Sequence, residues 1–237
     1  MDKKYFISIT GTSCVGKSTL LKAISVSDPN IFIIPQVTSR PIRSDDEERY
    51  IVHEQSLHPD QLFLYNKEVT YGIRKKDVEN FIISDSLYAF CINGTDEIEM
   101  ISQISQSYPK IEFKNILLSF KGKYAEEVQE LPRQFKKYFD EENRKKRITF
   151  YTQHIKNKLL NPRFIREHID LHLTREMPLN IWSEKISNTL GINSKNLYQE
   201  LQNTILMNGQ KKKYVNPIVK QSISEIIIAL YNNKKQI

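Results

Sequence analysis

The sequence predicts an α/β fold: a parallel sheet with helices packed on both faces. Three observations carry that expectation. A β-prone run, Tyr5-Phe6-Ile7-Ser8-Ile9-Thr10, leads into a glycine loop and then a helical stretch, Thr19–Ser25. Apolar strand-like runs then alternate with helical patterns as far as Leu190, the order that builds parallel βαβ units. No apolar run approaches the ~20 residues needed to cross a bilayer, which excludes a membrane-spanning helix.

The elements follow in order. The first strand, Tyr5–Thr10, is followed by the loop and a helix to about Ser27, and Ile31-Phe32-Ile33-Ile34 is a second buried strand stopped by Pro35. A polar, arginine-rich segment runs from Gln36 to Arg49. Tyr50-Ile51-Val52, Leu62–Tyr65 and Val69–Tyr71 read as short strands of a small antiparallel insert spanning 36–74. Lys75–Ile83 is a helix, Leu87–Asn93 a strand broken by Gly94, Asp96–Ser107 a helix, and Ile111–Phe120 holds another buried strand. The charged stretch Tyr124–Leu160 is mostly helical. Ile165–Leu173 reads as the last strand and Leu179–Leu190 as an amphipathic helix after Pro178. The pattern changes from Gly191 onward. Ser194–Met207 and Pro217–Tyr231 look helical, so residues 1–190 form one domain and 191–237 a helical extension that packs on it.

Residues Gly11-Thr12-Ser13-Cys14-Val15-Gly16-Lys17-Ser18-Thr19 match G-x-x-x-x-G-K-[ST], the phosphate-binding P-loop. Glycines at both ends let the backbone turn successive N–H groups into one concavity at a helix N-terminus, which binds phosphate oxygens. Lys17 is placed to reach the β and γ phosphates of ATP, and the Ser18 hydroxyl to ligate Mg²⁺. The strand before the loop and the helix after it supply the context that the motif requires. On a parallel sheet ligands bind beyond the carboxyl ends of the strands, so the loop, Arg40, Asn93 and Phe120 are expected to converge there.

Arg40 and Arg43 lie three apart beyond the second strand, in Ser39-Arg40-Pro41-Ile42-Arg43-Ser44-Asp45-Asp46. Pro41 biases Arg40 toward an extended backbone. Two guanidinium forks near a P-loop match the bidentate needs of an acceptor phosphate. Here the chain resembles the guanylate kinase family of nucleoside monophosphate kinases. Ser39-Arg40 stands for the family's Thr-Arg, Arg43 for its second arginine, Asp46 for its acid, Tyr50 for the tyrosine that follows, and Tyr71-Gly72 for its Tyr-Gly pair. The resemblance covers about residues 5–190. It implies a P-loop kinase fold with ATP and Mg²⁺ as cofactors, an acceptor phosphate held by Arg40, Arg43, Tyr50 and Tyr71, and Asp46 as a further residue of the acceptor site. The chain departs from the pattern at the guanine-reading acid, where Tyr65-Asn66-Lys67-Glu68 has no clear counterpart. It departs again at Cys91-Ile92-Asn93-Gly94-Thr95, whose ending is similar to the neighbouring ribosyl-bisphosphate phosphokinases and puts Asn93 at the acceptor.

The cluster Arg144-Lys145-Lys146-Arg147 follows Asp140-Glu141-Glu142. In the resembling enzymes a helical lid, here 124–160, brings arginines to the transferring phosphate, and Arg144 and Arg147 share one side of a helix. Both are therefore expected to be catalytic with Lys17, closing over the phosphate and excluding water. A solvated charged face is the plainer reading of the same run. His168-Ile169-Asp170-Leu171-His172 would put His168, Asp170 and His172 on one strand face, read as a polar outer face in preference to a metal site. Trp182, spaced helically with Leu179 and Ile186, is read as core.

Composition bounds partners and compartment. The net charge of +7, from 35 basic and 28 acidic residues, suits polyanions without choosing among them. Two cysteines, one in the P-loop and one (Cys91) in an apolar run, do not make a disulfide framework, and they fit a reducing cytoplasm. The strand begins directly after Met1-Asp2-Lys3-Lys4, so no signal peptide is expected. Three functions remain open. The first is Mg–ATP-dependent phosphoryl transfer to a nucleoside monophosphate or similar small phosphorylated molecule. The second is a kinase for polynucleotide ends or DNA bases, for which Tyr138, Phe139, Phe150 and Tyr151 offer a stacking platform. The third is an inactive interaction module of the same fold, which commonly loses the lysine and arginines that this chain keeps.

Overall fold

The computed structural model describes residues 3–40, 42, 49–54, 58–66, 71–92, 97–137, 139–155 and 160–211. Strand β1 (Lys4–Gly11) runs through the middle of a five-stranded sheet, and its last six residues are all buried. A strand covered on both faces is mostly apolar, and Phe6, Ile7 and Ile9 make the first strand legible although Ser8 and Thr10 are buried with them. The sheet order is β2 (Ile31–Ile33), β7 (Tyr88–Ile92), β1, β8 (Ile111–Ser119), β9 (Leu171–Thr174), with every pairing parallel. This is the α/β arrangement, a parallel sheet with helices on both faces, that the sequence predicts.

Alternation along β1 and β7 sorts the core into two layers. Ile7, Ile9, Phe90 and Ile92 face one way, onto Leu20, Leu21 and Ile24 of α1 (Lys17–Ser27) and onto Trp182 and Ile186 of α7 (Leu179–Leu190). Phe6, Ala89 and Cys91 face the other way, onto Val78 and Phe81 of α2 (Lys75–Ile83) and Met100 and Ile104 of α3 (Glu97–Ser107). Trp182 donates its indole N–H to the Thr174 carbonyl at 2.9 Å, so it is core with its one polar atom satisfied. Helix α8 (Ser194–Lys211) packs on α1 and α7, extending the first layer. The helix read at Pro217–Tyr231 lies outside the described residues.

The insert is a second sheet in the order β4 (Ile51–His53), β3 (Gln36–Thr38), β6 (Tyr71–Arg74), β5 (Leu62–Asn66). Two expectations change here. Gln36–Thr38 is a strand and not part of a polar segment; it is buried because Gln36 donates to the Ile92 carbonyl at 3.1 Å, docking the insert against the main sheet. The insert is also not wholly antiparallel, since β3 and β4 pair in parallel.

The largest correction falls at 162–174. The run read as one strand from Ile165 is helix α6 (Pro162–His168) followed by β9. The N-cap explains it: Asn161 accepts from the backbone N–H groups of Arg163 and Phe164, and Pro162 sits at the first helical position. His168, Asp170 and His172 therefore do not share a strand face. Asp170 instead accepts from the Asn115 backbone N–H at 2.7 Å. Among the described residues no group of His, Cys, Asp or Glu is placed to hold a metal ion. The charged stretch after β8 is two helices, α4 (Tyr124–Phe135) and α5 (Glu141–His154), the second capped by Asp140 accepting from Asn143. Cys14 and Cys91 are not joined in a disulfide.

Candidate active site

The P-loop lies at the carboxyl edge of β1, where Gly11 pairs with Leu118 of β8. A Cβ at Gly11 would fall 2.2 Å from the Leu118 carbonyl oxygen, so glycine is obligatory on packing grounds alone. Gly16 is constrained differently. Its φ of 113° is left-handed, while a Cβ there would meet nothing within 4 Å. It caps α1, whose first hydrogen bond runs from the Leu20 N–H to the Gly16 carbonyl at 2.9 Å. Cys14 also has positive φ, at 66°, completing the turn that folds the loop over the helix N-terminus.

Lys17 spans the loop, donating to the carbonyls of Gly11 at 2.8 Å and Thr12 at 2.9 Å. Its ammonium is thereby held over the concavity. The Thr12 hydroxyl is buried and has no hydrogen-bond partner among the described residues. A left-handed glycine at the helix start, a lysine held across the loop and an orphaned hydroxyl beneath it fit a phosphate group and its counter-ion.

Helix α5 reaches this loop. Arg147 donates to Ser13 Oγ at 3.4 Å, and its guanidinium lies 4.2 Å from the centre of the Phe139 ring. Tyr151, one turn on, shares a 2.7 Å hydrogen bond with the same Ser13 Oγ. Burial pushes the Tyr151 phenol up, so it stays protonated. The four-residue basic cluster divides by face: Lys145 and Lys146 pair with Glu141 and Glu142 at 2.9 and 2.7 Å in solvent, whereas Arg144 and Arg147 are half-buried. Sequence spacing anticipates that division, but not the contacts of Arg147.

Of the four aromatics expected to form a platform, Tyr138 lies outside the described residues, Tyr151 is buried against Phe135, Phe139 is half-buried against the Arg147 guanidinium, and Phe150 is exposed, stacked on His154 with ring centres 5.8 Å apart. His154 is itself buried.

On the insert side, the Arg40 carbonyl is 3.0 Å from His53 Nδ1, and its N–H donates to Thr38 Oγ1 at 3.2 Å, which fixes the turn after β3. Thr38 pairs with Tyr71 across β3 and β6. Tyr50 is buried, and its hydroxyl meets Ser25 Oγ of α1 at 3.2 Å, tying the insert to the P-loop helix. Arg43, Asp46 and Asn93 lie outside the described residues. Phe120, just past β8, is buried beneath the Arg175 guanidinium.

Sequence reasoning gave no role to Glu127. This α4 residue is 1 % exposed and accepts from the backbone N–H groups of Phe120 at 2.9 Å and Lys121 at 2.7 Å. It clamps the turn joining β8 to α4. Burial raises its carboxyl above the usual range against the pull of those amides. A Glu seven residues after Phe120, at the start of a helix, is the only signal the sequence offers, and it is not specific.

No family profile matches this chain, and no curated protein sequence matches it. Among solved structures it is similar to guanylate kinase from Anaplasma phagocytophilum, at 14% identity and a TM-score of 0.46, over 84% of this chain and 85% of that one. It is also similar to a fungal RNA kinase, at 12% identity and a TM-score of 0.49, over 86% of this chain and 98% of that one. These likenesses are of fold; the reading of the site rests on its own geometry. Among the described residues no helix is long and apolar enough to cross a membrane.

Proposed function

We propose that this chain is an ATP-dependent phosphotransferase acting on a nucleoside monophosphate or a similar small phosphorylated acceptor. The observation that carries the reading is the P-loop with Lys17 held across it and Arg147 brought to its rim by α5. Phosphoryl transfer spreads charge over the equatorial oxygens of the moving group, and it needs positioned cations more than it needs a base. Lys17 and Arg147 converge on one loop from opposite elements, and Arg144 shares the half-buried side of α5. An ionised phosphate oxygen of the acceptor attacks the γ-phosphorus directly, and the bond to the β-γ bridging oxygen breaks. Ser18 is the residue that would hold Mg²⁺, which supplies charge neutralisation when bound. Arg40, with Arg43, Asp46, Tyr71 and Asn93, is proposed for the acceptor. Tyr50 enters the proposal through its tie to Ser25 and not through a phosphate contact.

A panel of mononucleotides and sugar phosphates with γ-labelled ATP tests this reading, with Lys17→Ala as the control. A second reading, a kinase for polynucleotide ends, has one observation in its favour: Phe150 is 49% exposed beside the lid arginines, a surface on which a base can stack. Label appearing on DNA or RNA ends and on no mononucleotide or sugar phosphate would decide for the second reading.

A further inference from the structure

We infer that Tyr151 is a positioning residue: through Ser13 it docks the lid helix on the phosphate loop and so places Arg147 for transfer. The inference rests on the phosphotransfer reading and assigns a residue to which neither the motif nor the resemblance gives a part.

Arg147 and Tyr151 are one helical turn apart on α5 and meet the same atom, Ser13 Oγ. The two contacts differ in quality. The phenol bond, at 2.7 Å, is short and shielded, because Tyr151 is only 9% exposed; the guanidinium contact, at 3.4 Å, is long. Tyr151 is therefore the anchor and Arg147 the group carried by it. A buried hydroxyl must keep a partner, so the phenol is committed to Ser13. Its ring is fixed edge-on by Phe135 of α4, at 5.6 Å, so the anchor involves both lid helices. Phe139, itself edge-on to Phe135, closes the arrangement by lying against the Arg147 guanidinium. Arg147 is held at two points, a ring and a hydroxyl, and Ser13 is held by two lid side chains. Ser13 also immediately precedes Cys14, whose left-handed backbone sets the loop's turn. Fixing the Ser13 side chain thus braces the loop as well as the lid.

The test is Tyr151→Phe, which keeps the ring packing and removes only the hydroxyl. It is read in two ways. In hydrogen exchange, amides of the loop from Ser13 to Lys17 should exchange faster in Y151F than in the unsubstituted chain, with the global unfolding midpoint lowered by no more than about 5 °C. In kinetics, kcat should fall on the order of tenfold, since a displacement of about 1 Å at a reacting centre can cost up to ~10²-fold. KM for ATP should stay within about twofold. In an Arg147→Ala background the same substitution should cost less than about twofold, because the group it positions is gone. An equal loss in both backgrounds, or unchanged loop exchange, overturns the inference while leaving the phosphotransferase reading intact. Failure of the unsubstituted chain to transfer phosphate to any acceptor overturns the functional reading and the positioning role together; the exchange result then still decides whether the docking exists.

Discussion

Replacing Glu127 with alanine should destabilise the chain strongly, although no specific feature of the sequence marks the residue. Its carboxylate is the acceptor for the buried Phe120 N–H and for the Lys121 N–H, at 2.9 and 2.7 Å. Each buried amide left without an acceptor costs about 1–3 kcal/mol. Opposing this, burial disfavours the ionised carboxyl and Glu130 repels it, so alanine also relieves a cost. The net loss should therefore lie toward the lower part of the summed range, about 2–4 kcal/mol. For a chain of this size each kcal/mol moves Tm by about 2–4 °C, giving a fall of roughly 5–15 °C. Glu127→Gln keeps one acceptor oxygen and turns an NH₂ group toward the second amide, so it should recover only part of the loss. Urea titrations of the three proteins at neutral pH measure the series. A Glu127→Ala midpoint equivalent to less than about 0.5 kcal/mol from the unsubstituted chain would show that the turn after β8 does not need its clamp.

Three further outcomes are expected. Lys17→Ala should lower kcat on the order of 10²-fold or more, as loss of a charged transition-state donor does; near-normal transfer by the folded variant refutes the role of the loop. Arg40→Ala should cost about 2–4 kcal/mol in kcat/KM for the acceptor while ATP affinity changes little, measured by initial rates and by direct nucleotide titration; loss of ATP binding with acceptor binding retained reverses the assignment. Burial, helped by Lys185, lowers the pKa of His172, whose Nε2 lies 2.8 Å from Ser119 Oγ. Its folded value is below the unfolded value of about 6.5, so the unfolded chain binds more protons between the two. The stability it contributes is complete above about pH 6.5 and is lost as pH falls through the folded value. His172→Gln should flatten that acid limb in urea midpoints taken from pH 7 to 5, and an unchanged slope counts against the burial argument.

What the sequence revealed was what is local. The P-loop is nine consecutive residues, and its glycines answer to constraints within a few residues or at the end of one strand pair. β1 and α7 were legible for the same reason: a short β-prone run and a clear helical period need no knowledge of the rest of the chain. The errors arose where a short signal competed with a longer one. At 162–168 an Asn-Pro cap outweighed an apolar run that reads as a strand. At Gln36–Thr38 two polar residues are strand residues because Gln36 reaches the end of β7, 56 positions away. The same limit applied to the site. Lysine and arginine identities were visible, but Glu127 acts on a turn and Tyr151 on a loop that only the fold brings near.

The basic cluster on α5 shows how far spacing can go before contacts must decide. Four consecutive cations, read by composition, are one patch suited to a polyanion. Helical periodicity divides them into pairs, and Glu141 and Glu142 then neutralise Lys145 and Lys146 at i,i+4. Such exposed pairs contribute only about 0.3–0.5 kcal/mol each, but they remove two charges from any extended basic surface. What remains is Arg144 and Arg147 on the half-buried side of the helix, with Arg147 at the rim of a phosphate loop. A surface built to track a long backbone needs charges spread along a groove, whereas a site built to close on one phosphate needs a few cations converging on a point. Among the described residues of α5, the pairing fits the second pattern. It favours a small phosphorylated acceptor on physical grounds independent of the resemblance, even with Phe150 exposed nearby.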